Sequence, residues 1–290
     1  MSKPHILVTG KQGQLGWEFT QLADGYQQFD FVFLDRTDLD LSDSHSIQKC
    51  IEQYRPAYFI NCAAYTAVDK AETEQALAYQ VNAVAPGAIA DACRKQGATL
   101  ISISTDYVFN GKGTKPYATD ETTEPVNYYG YSKQVGEQLA LNNNPATIII
   151  RTSWVYSSHG NNFVKTMLRL MKDRDTLNVV ADQVGSPTYA HDLATAILQI
   201  IDQLEKGNKQ YGIFHYSNAG VTNWSDFARA IAQQASLSCM VNGITTAEYP
   251  TPAKRPAYSV MDTSKISTVY GVVMRDWKEA LQECILQLQS

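Results

Sequence analysis

The sequence has few charged residues and no concentration of positive ones. Lysine, arginine, aspartate and glutamate make up 18% of its 290 residues, against roughly 25% in an average soluble protein. The net charge is -5, and no cluster of five or more basic residues occurs. Because a phosphate backbone is bound by a concentrated positive surface, we expect no nucleic-acid partner.

Long apolar segments and paired cysteines are also absent. No segment approaches the ~18 apolar residues of a membrane span. The opening residues MSKPHILVTG hold three consecutive aliphatic residues, whereas a signal peptide needs about 7–15 apolar ones. The five cysteines are scattered without a Cys-x-x-Cys pair, a pattern that fits neither a disulfide framework nor a zinc site. We expect a cytoplasmic protein without a membrane partner.

Short runs rich in β-branched and aromatic residues alternate with longer amphipathic stretches through the first half. The runs predict strands over residues 5–9, 31–34, 58–63, 99–105 and 146–151. The stretches between them predict helices over residues 14–22, 44–54, 71–95 with a break at Pro86, and 130–141. Most of the runs lack polar alternation, as strands buried on both faces do. The pattern predicts a doubly wound parallel α/β sheet of the Rossmann type.

The second half has a looser pattern. It predicts helices over residues 163–172, 192–204 and 224–234, with a proline-punctuated stretch over 249–256. No low-complexity linker separates the halves, so we expect two interleaved units rather than tethered ones. The first, residues 1–152, is a dinucleotide-binding domain. The second, residues 153–290, is mainly a smaller substrate lobe whose segments return to the first.

Three glycines, Gly10, Gly13 and Gly16, follow the first predicted strand and open the first predicted helix. Glycine permits a tight strand-to-helix turn and lets a pyrophosphate approach bare backbone at the helix N-terminus. The spacing alone also suits a purely structural turn. Its place at the first β-α junction favours a dinucleotide.

Further cofactor positions follow the next two strands. Asp35 lies about 20 residues beyond the glycines, where an acid binds the adenosine ribose, and the neighbouring Arg36 suits a 2′-phosphate. NADH and NADPH therefore both remain open. The other positions expected to line the cofactor are Asp40, Leu41, Ala63, Ala64 and Tyr65.

A tyrosine and a lysine stand four residues apart, at Tyr129 and Lys133. On a helix this spacing brings both side chains to one face, where an ammonium favours the phenolate and lowers a tyrosine pKa that is ordinarily ~10. The spacing arises by chance in a tyrosine-rich chain. Its position before the fifth strand, together with Thr105 at the end of the fourth, places all three side chains at the crevice where α/β sheets bind ligands. We predict that these three residues are catalytic.

Several segments together resemble the extended short-chain dehydrogenases/reductases and, within them, the dTDP-4-dehydrorhamnose reductase family. The resemblance covers nearly the whole chain. Besides the glycine turn and the Tyr129/Lys133 pair, it rests on residues 61–72 (NCAAYTAVDKAE), 104–109 (STDYVF), 151–156 (RTSWVY), 160–163 (GNNF), 182–188 (DQVGSPT) and 252–256 (PAKRP).

The resemblance implies a role for each matching residue. Gly13, Gln14 and Leu15 would hold the pyrophosphate, with Gly10 in the same turn. Tyr129 would donate the proton, Lys133 would also anchor the nicotinamide ribose, and Thr105 would bind the C4 carbonyl of the sugar. The implied substrate contacts are Asp106 and Trp154 at the sugar, and Val68, Gln183 and Arg255 nearer the nucleotide.

One departure from the family concerns metal and assembly. Some members bind magnesium at a dimer interface through carboxylates, and one of these matches Glu18. A later matching position holds His191 where an acid is expected. We therefore predict no metal, and the chain is expected to be a monomer or a homodimer.

The resemblance implies NAD(P)H-dependent reduction of the C4 keto group of dTDP-4-dehydro-L-rhamnose, a nucleotide sugar. Two alternatives remain open at this point. One is another nucleotide-sugar epimerase or reductase of the same superfamily. The other is a non-catalytic regulatory subunit that binds a dinucleotide. The presence of Tyr129, Lys133 and Thr105 together favours an enzyme.

Overall fold

The computed structural model describes residues 3–289. Strands and helices alternate through the first half, as the sequence pattern predicts. The strands are β1 (His5–Thr9), β2 (Asp30–Leu34), β3 (Tyr58–Asn61), β4 (Thr99–Thr105), β5 (Thr147–Thr152), β6 (Val155–Tyr156), β7 (Thr176–Val180), β8 (Val184–Gly185), β9 (Thr188–Tyr189), β10 (Gly212–His215), β11 (Thr222–Asn223) and β12 (Met240–Ile244).

The helices extend over both halves of the chain. They are α1 (Gln14–Leu22), α2 (Ser44–Tyr54), α3 (Val68–Ala71), α4 (Gln75–Tyr79), α5 (Ala85–Gln96), α6 (Tyr128–Asn143), α7 (Phe163–Asp173), α8 (Ala190–Glu205), α9 (Trp224–Gln234), α10 (Ser264–Tyr270) and α11 (Trp277–Gln289). Short 3₁₀ turns cover Ala23–Gly25, Asp106–Val108 and Thr246–Glu248, and a π-helical turn covers Gln80–Val84.

Six strands form one sheet in the order β10-β5-β4-β3-β1-β2. All five pairings between them are parallel. The order reverses between β1 and β3, and such a switch point opens a crevice at the carboxyl ends of the strands. The predicted doubly wound Rossmann-type sheet is therefore confirmed.

Apolar side chains alternate between the two faces of this sheet, since successive residues of a strand point to opposite sides. Ile6 and Val8 of β1 belong to a core with α1, α8 and α10. Leu7 between them belongs to a second core with α2, α5 and α6. Burial on both faces explains why the predicted strands lack polar alternation.

The second half builds a further core and also returns to the sheet. Helices α7, α9 and α11 pack with β7, β12 and β9 around Phe227 and Trp277. Strand β10 joins the edge of the large sheet beside β5. Helix α8 packs against α1 on one face of the same sheet. Sequence patterning did not predict β10, α10 or α11, because these are short or follow irregular loops.

The predicted break at Pro86 is wrong in its position. The interruption lies earlier, at residues 72–74 between α3 and α4, and Pro86 sits in the first turn of α5, directly after the π-helical turn Gln80–Val84. Proline fits there because the first turn of a helix does not need its N–H. Among the described residues, no helix combines the length and apolarity that crossing a membrane requires.

Candidate active site

The glycine turn at the end of β1 is built around Gly10. Its φ of +74° is a left-handed conformation, which glycine adopts without strain. Its carbonyl accepts a hydrogen bond of 2.8 Å from the N–H of Gly13. A Cβ on Gly16 would stand 2.1 Å from the same carbonyl oxygen, and one on Gly10 would stand 3.1 Å from Ala63 N. The turn therefore requires glycine at Gly10 and Gly16 and lies against the end of β3, at the switch point.

The N-terminus of α1 is open toward solvent. Its N-cap, Gly13, is exposed and supplies no side-chain cap. The first N–H groups of the helix are therefore available to donate hydrogen bonds to an anion. Leu15 is buried beneath them. The side chain of Gln14 instead reaches the second half, where its amide donates to Val155 O at 3.4 Å and accepts from Asn162 Nδ2 at 3.0 Å.

The loop after β2 holds Asp35 close to the glycine turn. Its carboxylate accepts from the hydroxyl and N–H of Thr37 at 2.6 and 2.9 Å and lies 3.1 Å from Lys11 Nζ. The hydrogen bonds from Thr37, followed by that from Lys11, hold the pKa of Asp35 below its usual range. Arg36 is exposed beside it. An ionised acid and an exposed guanidinium therefore border the expected adenosine end of the crevice.

Asp40 and Leu41 follow in the same loop. The Asp40 carboxylate accepts from the hydroxyl and N–H of Ser42, which lower its pKa. Leu41 packs partly against the core on the α5 face.

After β3 the chain passes the switch point with two small residues. Ala63 N donates to Thr9 Oγ1 at 3.3 Å, and Tyr65 N donates to Asn82 Oδ1 at 2.9 Å. Ala64 lies between them. The amide of Asn82, in the π-helical turn, also donates to Tyr65 O at 3.0 Å and thereby fixes this segment. The structure places Ala63 against Gly10 of the glycine turn, with Ala64 next in the chain.

Helix α6 brings the Tyr129/Lys133 pair to the end of β4. The helix begins with Asn127 as N-cap, whose Oδ1 accepts from Gly130 N at 2.8 Å. The Thr105 hydroxyl lowers the pKa of the neighbouring Tyr129 phenol, and Lys133 Nζ donates to Ile103 O at 2.7 Å. One helix face thus lies against Ile103 and Thr105 at the end of β4.

The pKa values of Tyr129 and Lys133 differ from what their four-residue spacing predicts, which is a lowered tyrosine pKa. Burial raises the pKa of Tyr129 above its ordinary value, with the Thr105 hydrogen bond opposing the shift. Burial lowers the pKa of Lys133 to about 8, and the Glu137 carboxylate opposes that shift. The phenol is therefore neutral at neutral pH, and the lysine is bound to a backbone carbonyl instead of the phenol.

Asp106 places a buried carboxyl next to these groups. It is 2% exposed, and its Oδ1 accepts from Thr105 Oγ1 at 3.0 Å. Burial raises its pKa to about 6. Its Oδ2 is buried without a hydrogen-bond partner within the described part of the chain. An orphaned buried acceptor of this kind suits a ligand hydroxyl.

Arg255 lies beside Tyr107, two residues beyond the end of β4. Its Nη2 donates to Asp69 Oδ2 at 2.8 Å, and its guanidinium lies 6.0 Å from the ring of Tyr107. Its Nη1 is buried and finds no partner in residues 3–289. Val68 begins α3, one residue before Asp69. The arrangement presents an unpaired N–H donor suited to a phosphate or carbonyl oxygen.

Trp154 follows β5 in a left-handed conformation, with a φ of +49°. Its ring stacks on Trp224 with centroids 3.7 Å apart. A Cβ on Gly185 would stand 2.7 Å from the ring, so glycine makes room for it. Gln183, in contrast, is buried with its amide directed to Thr246 Oγ1 at 3.0 Å. The structure therefore gives Gln183 a hydrogen bond to the 3₁₀ turn that follows β12.

Glu18 and His191 form a pair away from these groups. Glu18 is 1% exposed and accepts from Ser157 Oγ at 2.6 Å, while His191 Nδ1 lies 3.1 Å from its other oxygen. The Glu18 contact raises the pKa of His191. No group of three or more histidine, cysteine or acidic side chains between residues 3 and 289 is arranged to hold a metal.

Sequence reasoning missed several residues that support the site. Asp69 pairs with Arg255, and the Glu72 carboxylate accepts from Tyr128 N at 2.8 Å at the start of α6. Glu137 and Arg151 form a buried ion pair behind Lys133. The available signal was the i,i+4 spacing of Lys133 and Glu137, which places both on one helix face.

Comparison with known proteins places these features in a family. The model of the family described as RmlD substrate binding domain matches residues 4–290. The dTDP-4-dehydrorhamnose reductase of Aggregatibacter actinomycetemcomitans is 42% identical over 284 residues, which are 96% of this chain and 97% of that protein.

Solved structures are similar over the same extent. The crystal structure of a dTDP-4-dehydrorhamnose reductase from Clostridium acetobutylicum superposes with a TM-score of 0.94 and 42% identity, covering 99% of this chain and 100% of that one. The enzyme of the same name from Bacillus anthracis, solved in complex with NADP, gives a TM-score of 0.92 and 38% identity, with coverage of 99% and 100%.

Proposed function

The chain belongs to the RmlD substrate-binding-domain family, and on that premise we propose that it reduces the C4 carbonyl of dTDP-4-dehydro-L-rhamnose to give dTDP-L-rhamnose. It is an oxidoreductase that uses NADPH or NADH in nucleotide-sugar biosynthesis. The names of the similar proteins support the reaction, and the neighbour that holds NADP supports the cofactor. The observation that carries the proposal is the contact of Tyr129 with Thr105 beside Lys133, at the carboxyl end of β4.

The residues present fit a dinucleotide. The uncapped N-terminus of α1 at Gly13 offers N–H donors for the pyrophosphate, with Gln14 and Leu15 beside it. Asp35 would bind the adenosine ribose, and Lys133 would bind the nicotinamide ribose. When bound, NAD(P)H supplies the hydride that reduces C4.

The chain's own residues would supply the proton and the orientation of the sugar. As hydride arrives at C4, the neutral Tyr129 phenol would give its proton to the oxygen that becomes the alcohol. Thr105 would hold that oxygen by turning its hydroxyl proton from Asp106 Oδ1 to the sugar. The unpartnered Asp106 Oδ2 would accept from a sugar hydroxyl, and the free Arg255 Nη1 would donate to the diphosphate.

The decisive experiment incubates the protein with NADPH and dTDP-4-dehydro-L-rhamnose and follows the absorbance of the reduced nicotinamide. We expect NADPH oxidation that requires the sugar and yields dTDP-L-rhamnose. Turnover of the sugar without net NADPH oxidation would identify an epimerase. Cofactor binding without any turnover would identify a regulatory subunit.

Substitution of the proton donor tests the mechanism. Tyr129→Phe removes one hydroxyl and little volume, and we expect kcat to fall by about 10²–10⁴-fold, the typical contribution of general acid catalysis. Tyr129→Phe should still bind NADPH. Lys133→Met, in contrast, should lower the NADPH affinity as well as kcat. Tyr128→Phe and Tyr131→Phe are matched controls on the same turn. Near-normal turnover of Tyr129→Phe, with loss in either control, would transfer the role to that neighbour.

We also propose the division of labour and setting expected from the sequence. Residues 1–152 would bind the dinucleotide, and residues 153–290 would mainly bind the sugar nucleotide. The protein would act as a monomer or a homodimer in the cytoplasm, where the thiols of its unpaired cysteines stay reduced.

A further inference from the structure

Three residues of α6 spaced four apart contact the last three residues of β4. The Tyr129 phenol interacts with the Thr105 hydroxyl, which lowers its pKa, and Lys133 Nζ donates to Ile103 O. One turn further along, the Glu137 carboxylate accepts a short hydrogen bond from Ser104 Oγ. The proposed reaction uses the first two of these helix residues and gives no role to the third.

Glu137 is also the buried partner of Arg151 on β5. The two side chains are 5% and 3% exposed. The Arg151 fork donates twice, with Nε at 3.0 Å from Oε1 and Nη2 at 2.7 Å from Oε2. Ser104 and Arg151 are register partners on adjacent strands, so one carboxylate joins α6 to both strands.

The cluster is fixed from behind as well. Arg151 lies 5.1 Å from the Phe109 ring centroid, and its Nη1 lies 3.4 Å from Thr119 O and from His215 Nε2. Buried ion pairs are held in place only when further hydrogen bonds satisfy their donors and acceptors. Here the bonds to Ser104 and Thr119 supply them.

We infer that Glu137 is a positioning residue for the reaction, which sets the distance of α6 from β4 and supplies a negative charge one helical turn from Lys133. It touches neither cofactor nor sugar in this arrangement and acts through Ser104, Arg151 and the helix that carries Tyr129 and Lys133. The inference rests on the proposed function, because it assigns Glu137 a part in the same site.

The two parts of this role depend on different properties of the side chain. The reach of the carboxylate sets the helix position, since displacement of a reacting group by about 1 Å costs on the order of 10²-fold in rate. Its negative charge favours the Lys133 ammonium against the cost of burial. Glu137 is the charged group that acts on Lys133. The other titratable groups of this region are Tyr129, which interacts with Asp106, and Arg151, which contacts Glu137 and His215.

Two variants of Glu137 separate reach from charge. Glu137→Asp keeps the charge and shortens the reach by one methylene, so kcat should fall about 10–10²-fold while the pH dependence of NADPH binding stays that of the wild type. Glu137→Gln keeps the reach and removes the charge. Lys133 should then lose its proton at lower pH, and NADPH affinity should decline from a lower pH than in the wild type.

The NADPH dissociation constant, followed by nicotinamide fluorescence without sugar, is measured across the wild-type Lys133 pKa of about 8. Gln138→Ala, an exposed neighbour on α6, serves as the control and should match the wild type in both measurements. Ser104→Ala removes one donor to Glu137 and leaves the ion pair whole. It should reduce kcat less than Glu137→Asp does and leave the pH midpoint unchanged.

Wild-type kcat in Glu137→Asp, or an unshifted midpoint in folded Glu137→Gln, overturns the inference. Glu137→Gln could fail to fold because it leaves Arg151 unpaired. In that case the kcat values of Glu137→Asp and Ser104→Ala test the inference. Because the binding titration needs no sugar, a shifted midpoint in a protein that fails to reduce the sugar would support the positioning role and reject the proposed reaction.

Discussion

Removal of the Trp154 side chain separates a substrate contact from a core contact. One face of this ring stacks on Trp224 with centroids 3.7 Å apart and planes inclined by 12°. The side chain is only partly buried, and it stands at the end of β5, next to the crevice. We expect Trp154→Ala to weaken sugar-nucleotide binding strongly and to lower stability moderately.

The expected loss of stability in Trp154→Ala follows from the contacts of the indole ring. Truncation of a fully buried tryptophan costs ~3–5 kcal/mol, and an aromatic stack contributes about 0.5–1.5 kcal/mol of such a sum. Since Trp154 is partly exposed, the free energy of unfolding should fall by roughly 2 kcal/mol. The backbone φ of +49° costs a non-glycine residue roughly 1 kcal/mol. Trp154→Gly relieves that strain and should be no less stable than Trp154→Ala.

Urea unfolding measures the stability, and titration of the dTDP-sugar and NADPH measures the two affinities. Trp224→Ala is the matched control because it removes the same stack from the other side. We expect it to lower stability like Trp154→Ala but to retain more of the sugar affinity. Equal loss of sugar affinity in both variants, or an equal loss of NADPH affinity in Trp154→Ala, would refute the assignment of Trp154 to the sugar.

Two further predictions concern charge. Arg36→Ala should raise the KM for NADPH more than the KM for NADH, since the exposed guanidinium suits a 2′-phosphate. Steady-state kinetics with both cofactors measures the two KM values, and an equal rise in both would show that Arg36 is only a loop charge. Glu18 raises the pKa of His191 above the unfolded value of 6.5. The pair therefore makes its full contribution to the free energy of unfolding below that pH, and the contribution is lost as the pH rises through the folded pKa. Urea unfolding of wild type and His191→Gln over this range should show a converging difference, and a constant difference would contradict the linkage.

The parallel sheet and the glycine turn could be predicted because local rules determine them. Continuous apolar runs indicate strands covered on both faces, and His5–Thr9 and Thr99–Thr105 have the bounds expected. The turn at Gly10 needs a positive φ that its sequence permits. In both cases the deciding interaction lies within a few residues of the pattern.

The partners of the site residues could not be predicted in the same way. Arg255 meets Asp69 across 186 positions, and Gln14 meets Asn162 across 148. Such pairs depend on where long irregular segments return to the sheet, which no local periodicity encodes. Gln183 shows the same effect, since its amide is taken up by Thr246.

The Tyr129/Lys133 spacing identified two neighbouring side chains but did not reveal their partners. Helical geometry aligns residues four apart, yet the register of β4 decides that the phenol meets the Thr105 hydroxyl and the ammonium meets the Ile103 carbonyl. Burial then keeps the phenol protonated. A ketone reductase needs that state, because its acid must hold a proton when hydride arrives, whereas a phenolate would serve the reverse oxidation. The protonated Tyr129 phenol is the state from which this residue would donate its proton to the carbonyl oxygen in the proposed reduction.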